Sequence, residues 1–579
     1  MAAVAAPDGI SVGKWAHMRG HRRPTAGSWQ RAAVAAGLVV LLLGTAACGG
    51  DGDGGGSTGA EDPQEGAVVE ISEQGEPVDG GEIVVGLEAE TSSWLPGRGT
   101  FNQPGVNVAY ALYDPLMHRT EDGDVEPYLA ESMEPNADLT EWTLTLRPGV
   151  RFHDDTPLDA QALKTIFDDY LTAPGANTAA SLDEVTSLDV VDELTVVYRL
   201  VEANAAFPVL LISSPGWPFS PTAAAAAGED AGARPVGTGP FRFVSWQRDS
   251  QLVVEKNEDY WQPGLPHLDR ITFRPIPDED TRLASLQSGD VDVMQSLRQS
   301  TVIRARDLDG IDNYEHLGSN SGGGTVNTSK PPFDDVRVRQ ALAHALDQEA
   351  IIEVLGGAGV TPPTTQFFSE DSPYWSAKVA EAYPAYDVEK AQELYDDYIN
   401  DPDRSDGLPV GTQLSFTYSC PPDPSLNEVA QLVQSLYGAL GAQVELEQVE
   451  QATWIQKMLA RDYDTGCTRV GADSDPFIVF DAAFTEGPLN MTAFQSPEID
   501  VQLDILRTTT DLAARKAAVE EIGLVVNENV PNTFSGGTLT VMAGREAVKN
   551  LAGWIFPDGT TGNGAASAQV MWGHVWLAG

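Results

Sequence analysis

The spacing of apolar residues predicts a mixed α/β body that starts near residue 81. Apolar and polar residues alternate over 142–147 and 194–200, which indicates strands with one buried face. Apolar residues three and four positions apart over 388–399 indicate a helix that buries one side. From residue 336 onwards such helices alternate with short apolar strands. This order predicts a parallel sheet, because helical crossovers join parallel strands. The helices predicted there are 336–347, 388–399, 427–440, 453–461 and 509–527, and the strands are 414–419, 443–447 and 465–471.

An apolar run over residues 32–47 follows several arginines and ends directly before Cys48. The run has about 16 residues, whereas a membrane-spanning helix needs about 20. A basic segment, an apolar segment and small residues before a cleavage point are typical of an export signal. With a cysteine in the next position, the segment resembles a bacterial lipobox, whose cysteine thiol carries a diacylglycerol. We predict a lipoprotein signal peptide over 1–47, a lipid anchor at Cys48, and a true start at Met18, from which the signal is compact.

Residues 48–80 are rich in glycine and acidic residues and show almost no apolar pattern, which predicts a flexible linker. The whole chain has 35 basic and 85 acidic residues and a formal net charge of −50. Such a charge repels phosphate backbones, which excludes nucleic acid as a partner. It also repels anionic lipid, so a tether to a membrane has to be apolar or covalent.

The sequence lacks the short motifs of metal and catalytic sites. Apart from His17 and His21, which lie in the predicted signal peptide, its eight histidines form no HxxxH spacing; none forms HExxH, and its three cysteines form no CxxC pair. We therefore expect no cofactor and no zinc or iron–sulfur site built from local motifs. No GxSxG elbow or paired-carboxylate motif is present either. The prediction is a protein that is not an enzyme and has no catalytic residues.

Three long stretches carry a recognisable pattern. Tyr-Asp-Pro-Leu at 113–116 is continued by Trp-Thr-Leu-Thr-Leu-Arg-Pro-Gly at 142–149. Pro-Val-Gly-Thr-Gly-Pro-Phe at 235–241 is followed by Asn-Glu-Asp-Tyr-Trp at 257–261, and the third stretch is Asn-Thr-Ser-Lys-Pro-Pro-Phe-Asp-Asp at 327–335. In this order they resemble the family 5 extracellular solute-binding proteins, which serve peptide and nickel ABC importers. The resemblance extends from about 82 to about 545.

The resemblance implies an α/β clamshell of two lobes, like the periplasmic binding proteins, with an extra subdomain. Lobe I would comprise 81–119, 235–326 and 545–579, the subdomain 120–234, and lobe II 327–544. A ligand would bind between the lobes, and hinge closure would bury it. The resemblance further implies a monomer held outside the cytoplasm at the cell membrane, with the permease subunits of an ABC importer as partners.

A peptide ligand needs an acidic partner for its amine, and the resemblance places Asp473 there. Arg469, four residues earlier, is a candidate for a ligand carboxylate, and Asn327 at the lobe junction for backbone contacts. Trp454, Trp94 and Phe494 are candidate aromatic walls. A nickel chelate, an oligosaccharide or an opine-like conjugate remains an alternative ligand, and sensing remains an alternative to import. A helix-capping role remains the alternative for Asp473.

Cys420 and Cys467 lie on strands that are adjacent in the strand order 2-1-3 implied by the resemblance. Cys420 ends its predicted strand, while Cys467 lies near the start of the other. At about 3.3 Å per residue, this places them roughly 10 Å apart. A disulfide needs α-carbons within about 7 Å. We therefore expect two unpaired thiols.

Overall fold

The computed structural model describes residues 75–579, apart from residues 100, 122, 173–181, 183, 371, 471–474, 488 and 563–567. The predicted signal peptide, Cys48, Met18 and most of the predicted linker lie outside the described residues. Asp473 lies outside them as well. Within the described ranges, no helix combines the length and the apolar character needed to cross a membrane.

The strands, numbered along the chain, are β1 (Glu82–Leu87), β2 (Met117–Arg119), β3 (Val125–Pro127), β4 (Ala130–Pro135), β5 (Glu141–Leu146), β6 (Val185–Val190), β7 (Thr195–Leu200), β8 (Phe241–Gln247), β9 (Gln251–Lys256), β10 (Arg270–Pro275), β11 (Val293–Ser296), β12 (Ile311–Val326), β13 (Ser415–Cys420), β14 (Gln443–Gln448), β15 (Thr465–Val470), β16 (Asn532–Arg545), β17 (Val548–Lys549) and β18 (Trp576–Leu577).

The α-helices are α1 (Gln103–Leu112), α2 (Ala160–Thr172), α3 (Pro221–Ala227), α4 (Glu279–Ser288), α5 (Gln299–Arg306), α6 (Val336–Ala345), α7 (Gln348–Val354), α8 (Ala377–Ala382), α9 (Val388–Ile399), α10 (Pro424–Ala439), α11 (Gln451–Leu459), α12 (Pro476–Phe484), α13 (Pro497–Thr508) and α14 (Leu512–Asn529).

A 10-stranded sheet organises the molecule, in the order β14-β13-β15-β12-β16-β11-β1-β10-β9-β8. On one side β1 runs parallel to β10 and β11, and on the other β13 runs parallel to β14 and β15. The long antiparallel strands β12 and β16 lie between these two groups and belong to both. The prediction of a parallel sheet after residue 336 is therefore confirmed.

Capping residues explain where several helices begin and end. Asp387 accepts a hydrogen bond from Lys390 N–H, so α9 starts at Val388 as the pattern predicts. The helix predicted over 336–347 stops at Ala345, because Asp347 is itself the N-cap of α7. The helix predicted over 509–527 begins at Leu512 after its cap Asp511, and the pattern did not predict α13, which Ser496 caps.

Cys420 and Cys467 form a disulfide, so the prediction of unpaired thiols is wrong. The prediction assumed that the two parallel strands start level with each other. Instead Ser419 pairs with Gly466, which places Cys420 beside Cys467 with their α-carbons 5.0 Å apart. β15 is thus displaced along β13, and the end of one strand lies next to the start of the other.

The motifs that stand out in the sequence hold one half of the molecule together. Asp114, from the first stretch, is fully buried and accepts hydrogen bonds from Tyr260 Oη at 2.9 Å and Trp261 Nε1 at 2.8 Å, both in the second. His153 binds the turn at 237–239 in the same way, since its Nδ1 accepts from Gly237 N–H at 3.3 Å and its Nε2 lies 2.9 Å from Gly239 O. These contacts give the motifs a structural role.

A separate antiparallel sheet, ordered β4-β5-β7-β6, lies within residues 130–200. Its inner face packs against α2 through Ile166, Phe167 and Tyr170, and it shares one apolar core with β1, β10 and the C-terminal segment. A second core surrounds β13 on the other side of β12 and β16. The two cores therefore lie on opposite sides of the two long strands.

Candidate functional site

The carboxyl ends of the two groups of parallel strands approach each other along β16. β11 ends at Ser296 opposite Val541, and β15 ends at Val470 opposite Ser321, which itself pairs with Gly537. The four residue steps from position 537 to position 541 span about 13 Å. Ligands of open α/β sheets bind in the crevice outside the carboxyl ends of such strands. We call the space between these ends, over 317–323 of β12 and 536–540 of β16, the crevice.

The floor of the crevice is rich in glycine. The pairing of β12 with β16 shifts register between Gly318 and Ser321 and again before Gly323. A side chain at Gly323 would place its Cβ 1.9 Å from Thr533 O, so only glycine permits this close approach of the two strands. Such irregularities bend strands and often lie next to binding sites. The sequence analysis did not predict a strand in either segment.

Trp454 and Asn327 both lie along β15, Asn327 at its amino end and Trp454 against its middle. Trp454 is 1% exposed, and its Nε1 donates to Cys467 O at 3.0 Å. Asn327 is buried and donates from Nδ2 to the carbonyls of Arg461 and Tyr463 at 2.8 and 2.9 Å. The ring of Tyr463 meets that of Trp454 edge-on at 5.3 Å. Both side chains therefore position β15, and their contact with a ligand stays a prediction.

Trp94 and Phe494 lie elsewhere. Trp94 belongs to the core around β1, where its ring meets that of Trp246 at 5.6 Å and its backbone N–H donates to Gly232 O. Phe494 packs in the core of α12, α13 and α14, where its ring lies 6.2 Å from that of Phe484. The structure does not bring either ring to Trp454.

The segment after β15 has one carboxylate with a clear structural function. Asp475 caps α12 by accepting from Phe477 N–H, and its Oδ2 lies 2.5 Å from Arg515 Nη2 with both side chains largely buried. Arg469 lies in β15, where the structure describes the backbone alone. Asp475 is thus engaged within the protein, and the contact of Asp473 with a ligand amine stays a prediction.

The sequence analysis missed Arg298, which lies two residues beyond the carboxyl end of β11 and is the N-cap residue of α5. No motif marks it. The available signal was its position, a basic residue between a strand and a helix in a strongly acidic chain. Within the described part of the chain, no group of three or more histidine, cysteine or acidic side chains is arranged to bind a metal ion.

Known proteins resemble this chain in sequence. Residues 124–490 match the model of the bacterial extracellular solute-binding proteins, family 5 Middle. The chain is 28% identical over 470 residues to the glutathione-binding protein GsiB of Pectobacterium atrosepticum, which covers 78% of this chain and 87% of the relative.

Solved structures share the fold. DppA of Helicobacter pylori, in complex with the peptide STSA, superposes with a TM-score of 0.70 at 21% identity over 86% of this chain and 98% of its own. NikA of Brucella suis, in complex with Fe(III)-EDTA, superposes with a TM-score of 0.72 at 22% identity over 86% of this chain and 100% of its own. The fold class, a two-lobe α/β clamshell, is therefore confirmed.

Proposed function

The chain belongs to family 5 of the bacterial extracellular solute-binding proteins, and we propose that it binds short peptides in the crevice and delivers them to the permease of an ABC importer. The carboxyl ends of two parallel strand groups face each other across two shared strands, and this observation carries the proposal. Closure about β12 and β16 brings both edges onto one ligand. The protein acts as a monomer and performs no chemistry on the ligand.

Two features favour peptides over the other ligands. One relative carries the name of a binder of glutathione, a tripeptide, and one structural neighbour holds a tetrapeptide. Beyond the end of β15, Leu317 and Gly318 of β12 pair with β16 alone, so this edge offers strand backbone to an extended peptide, whose N–H and C=O groups need partners. A nickel chelate has support from the NikA likeness in fold, and it becomes an outcome of the test below.

Native mass spectrometry of protein purified without refolding tests this function. We expect bound masses that match short peptides and disappear after partial unfolding and dialysis. The emptied protein should then bind members of a di- to tetrapeptide panel in calorimetry. A retained metal chelate or sugar, together with no binding of any peptide, would replace the proposed ligand class.

Asp473→Ala should weaken the binding of peptides with a free amine by at least about 30-fold, because it removes the partner of a charge inside a closed crevice. N-acetylated peptides should bind the wild type and the variant equally. Asp462→Ala is the matched control, since Asp462 precedes β15 in the sequence and its side chain is 82% exposed. Equal affinity of Asp473→Ala and the wild type for free-amine peptides would remove Asp473 from the site.

We propose that Cys48 carries the lipid that holds the protein at the outer face of the cell membrane. The apolar run of residues 32–47 and the acidic charge of the chain support this assignment, because charge alone cannot hold the protein at anionic lipid. Cys48→Ala should abolish labelling by a radioactive fatty acid and shift the protein from the membrane fraction to the soluble one. Persistent labelling of the variant would place the lipid on another residue.

A further inference from the structure

The start of α5 carries a positive charge that no described group neutralises directly. Arg298 donates its backbone N–H to Ser296 Oγ at 3.2 Å, and α5 has no side-chain cap. The guanidinium, which is partly exposed, forms no hydrogen bond, ion pair or ring contact with the residues that the structure describes. It therefore remains available at the edge of the crevice where β11 ends.

Neighbouring arginines, unlike Arg298, form ion pairs with carboxylates. Arg282 on α4 is fully buried and paired with Glu279, and it donates to Gln295 O. On α5 itself, Arg304 pairs with Asp280, and Arg306 pairs with Glu315. Arg298 differs from these three neighbours in that no carboxylate among the described residues pairs with it.

Asp278 is the acidic residue whose charge Arg298 influences, and it is already engaged. Its Oδ1 accepts hydrogen bonds from the Thr281 hydroxyl and N–H at 2.6 and 2.8 Å, which cap α4. These bonds lower the pKa of Asp278, and the nearby charge of Arg298 adds to the effect. The charged carboxylate of Asp278 is thus engaged in capping α4. The guanidinium N–H groups of Arg298 stay available to another acceptor.

The same helix start meets the far side of the crevice. The loop after α7 lies against it, because a Cβ at Gly356 would be 3.3 Å from Ser300 Cβ. In that loop Thr361 is 5% exposed, and its hydroxyl has no hydrogen-bond partner among the described residues. Gln299 donates from Nε2 to Gly537 O of β16 at 2.9 Å. A group bound beside α5 would therefore lie where elements from both sides of the hinge strands converge.

We propose that Arg298 is a specificity-determining residue that binds a carboxylate of the ligand, and that the ligands are peptides with a free carboxyl end or an acidic side chain. This proposal rests on the peptide-binding function proposed above. A guanidinium presents two parallel N–H groups to a carboxylate, a match that a lysine or a neutral side chain lacks. The N-terminal end of α5 adds positive potential at the same place.

A panel of tripeptides, each prepared as the free acid and as the C-terminal amide, tests the proposal with calorimetry on the wild type and on Arg298→Gln. We expect the wild type to prefer the acids, and Arg298→Gln to bind them about 10- to 100-fold more weakly while amide affinities change little. A tripeptide that carries a side-chain carboxylate should keep part of its affinity when its C-terminus is an amide. Arg298→Lys should give an intermediate loss of affinity for the acids, because lysine keeps the positive charge but lacks the two parallel N–H groups of the guanidinium.

Arg304→Gln is the matched control, since it removes the same charge from the same helix at a side chain that is 53% exposed, and acid binding should not change. Circular dichroism should show all variants folded, because the Arg298 side chain forms no hydrogen bond or ion pair with a described residue that the change would remove. Equal weakening of acids and amides by Arg298→Gln, or no weakening, overturns the carboxylate assignment while peptide binding stands. Absence of peptide binding by the wild type overturns the proposed function and this inference with it.

Discussion

Replacing both Cys420 and Cys467 by serine should lower the free energy of unfolding by about 4 kcal/mol. The bridge closes a loop with a sequence separation of 47 residues, and the loss of its constraint on the unfolded chain gives this magnitude. Both cysteines are buried, at 2% and 7% exposure, so serine also places two hydroxyls in an apolar core. Urea unfolding followed by circular dichroism measures the difference.

Reduction of the wild type should reproduce the unfolding curve of the double variant, and intact mass after alkylation should show two more modified thiols than in the unreduced protein. Cys48→Ser is the control, because it removes the remaining cysteine of the chain without touching the bridge. We also expect weaker peptide binding after reduction, since Cys467 lies on the strand that leads to residues 471–474. Two alkylated thiols in the unreduced protein would contradict the disulfide.

The helices and the parallel order after residue 336 follow from the sequence because they depend on local signals. α9 has an N-cap aspartate and an apolar stripe, and it begins and ends where the pattern predicts. The alternation of helix and strand likewise predicts the parallel pairing of β13 with β14 and β15. In each case the signal is local, within one helix or between neighbouring helices and strands in the sequence.

The strands that form the crevice could not be predicted in this way. β12 contains Gly322, Gly323 and Gly324 and has no alternation there, so its extended form depends on pairing with β16, more than 200 residues later. The prediction of two unpaired cysteines failed for a related reason. Sequence spacing locates each cysteine within its strand, whereas the register between two strands is a property of their tertiary pairing, which periodicity does not encode.

The positions of the candidate ligand residues in the fold could not be predicted from the sequence either. Trp454 and Asn327 were chosen for their chemistry and position, and the structure shows their polar atoms bonded to backbone carbonyls of the same region. Arg298 was not a candidate from the sequence, because its proposed role in ligand binding depends on the strand ends that meet beside it. A binding site made by two distant sheet edges is a property of the tertiary structure.

Asp114→Ala should destabilise the protein by about 3 kcal/mol at pH 5, because it leaves the partly buried Trp261 N–H and Tyr260 hydroxyl without their acceptor. Asp114→Asn should be tolerated, since a carboxamide can accept from Trp261 and donate to the tyrosine oxygen. Measuring urea unfolding of the three proteins at the same pH separates loss of the hydrogen bonds from loss of the charge.

The pH dependence of the same site follows from its burial, which raises the pKa of Asp114 to about 7 despite opposing hydrogen bonds from Trp261, Tyr260 and Thr238. A carboxyl whose pKa is raised by folding holds a proton that the unfolded chain has released. Its contribution to stability is therefore complete below about pH 4 and is lost as the pH rises through about 7. Asp114→Asn does not titrate, so its stability relative to the wild type should increase between pH 5 and pH 8. His153, whose pKa burial lowers to about 4, is present in both proteins and cancels in the difference. Parallel stability curves for the two proteins over this range would show that Asp114 is already charged in the folded state at pH 5.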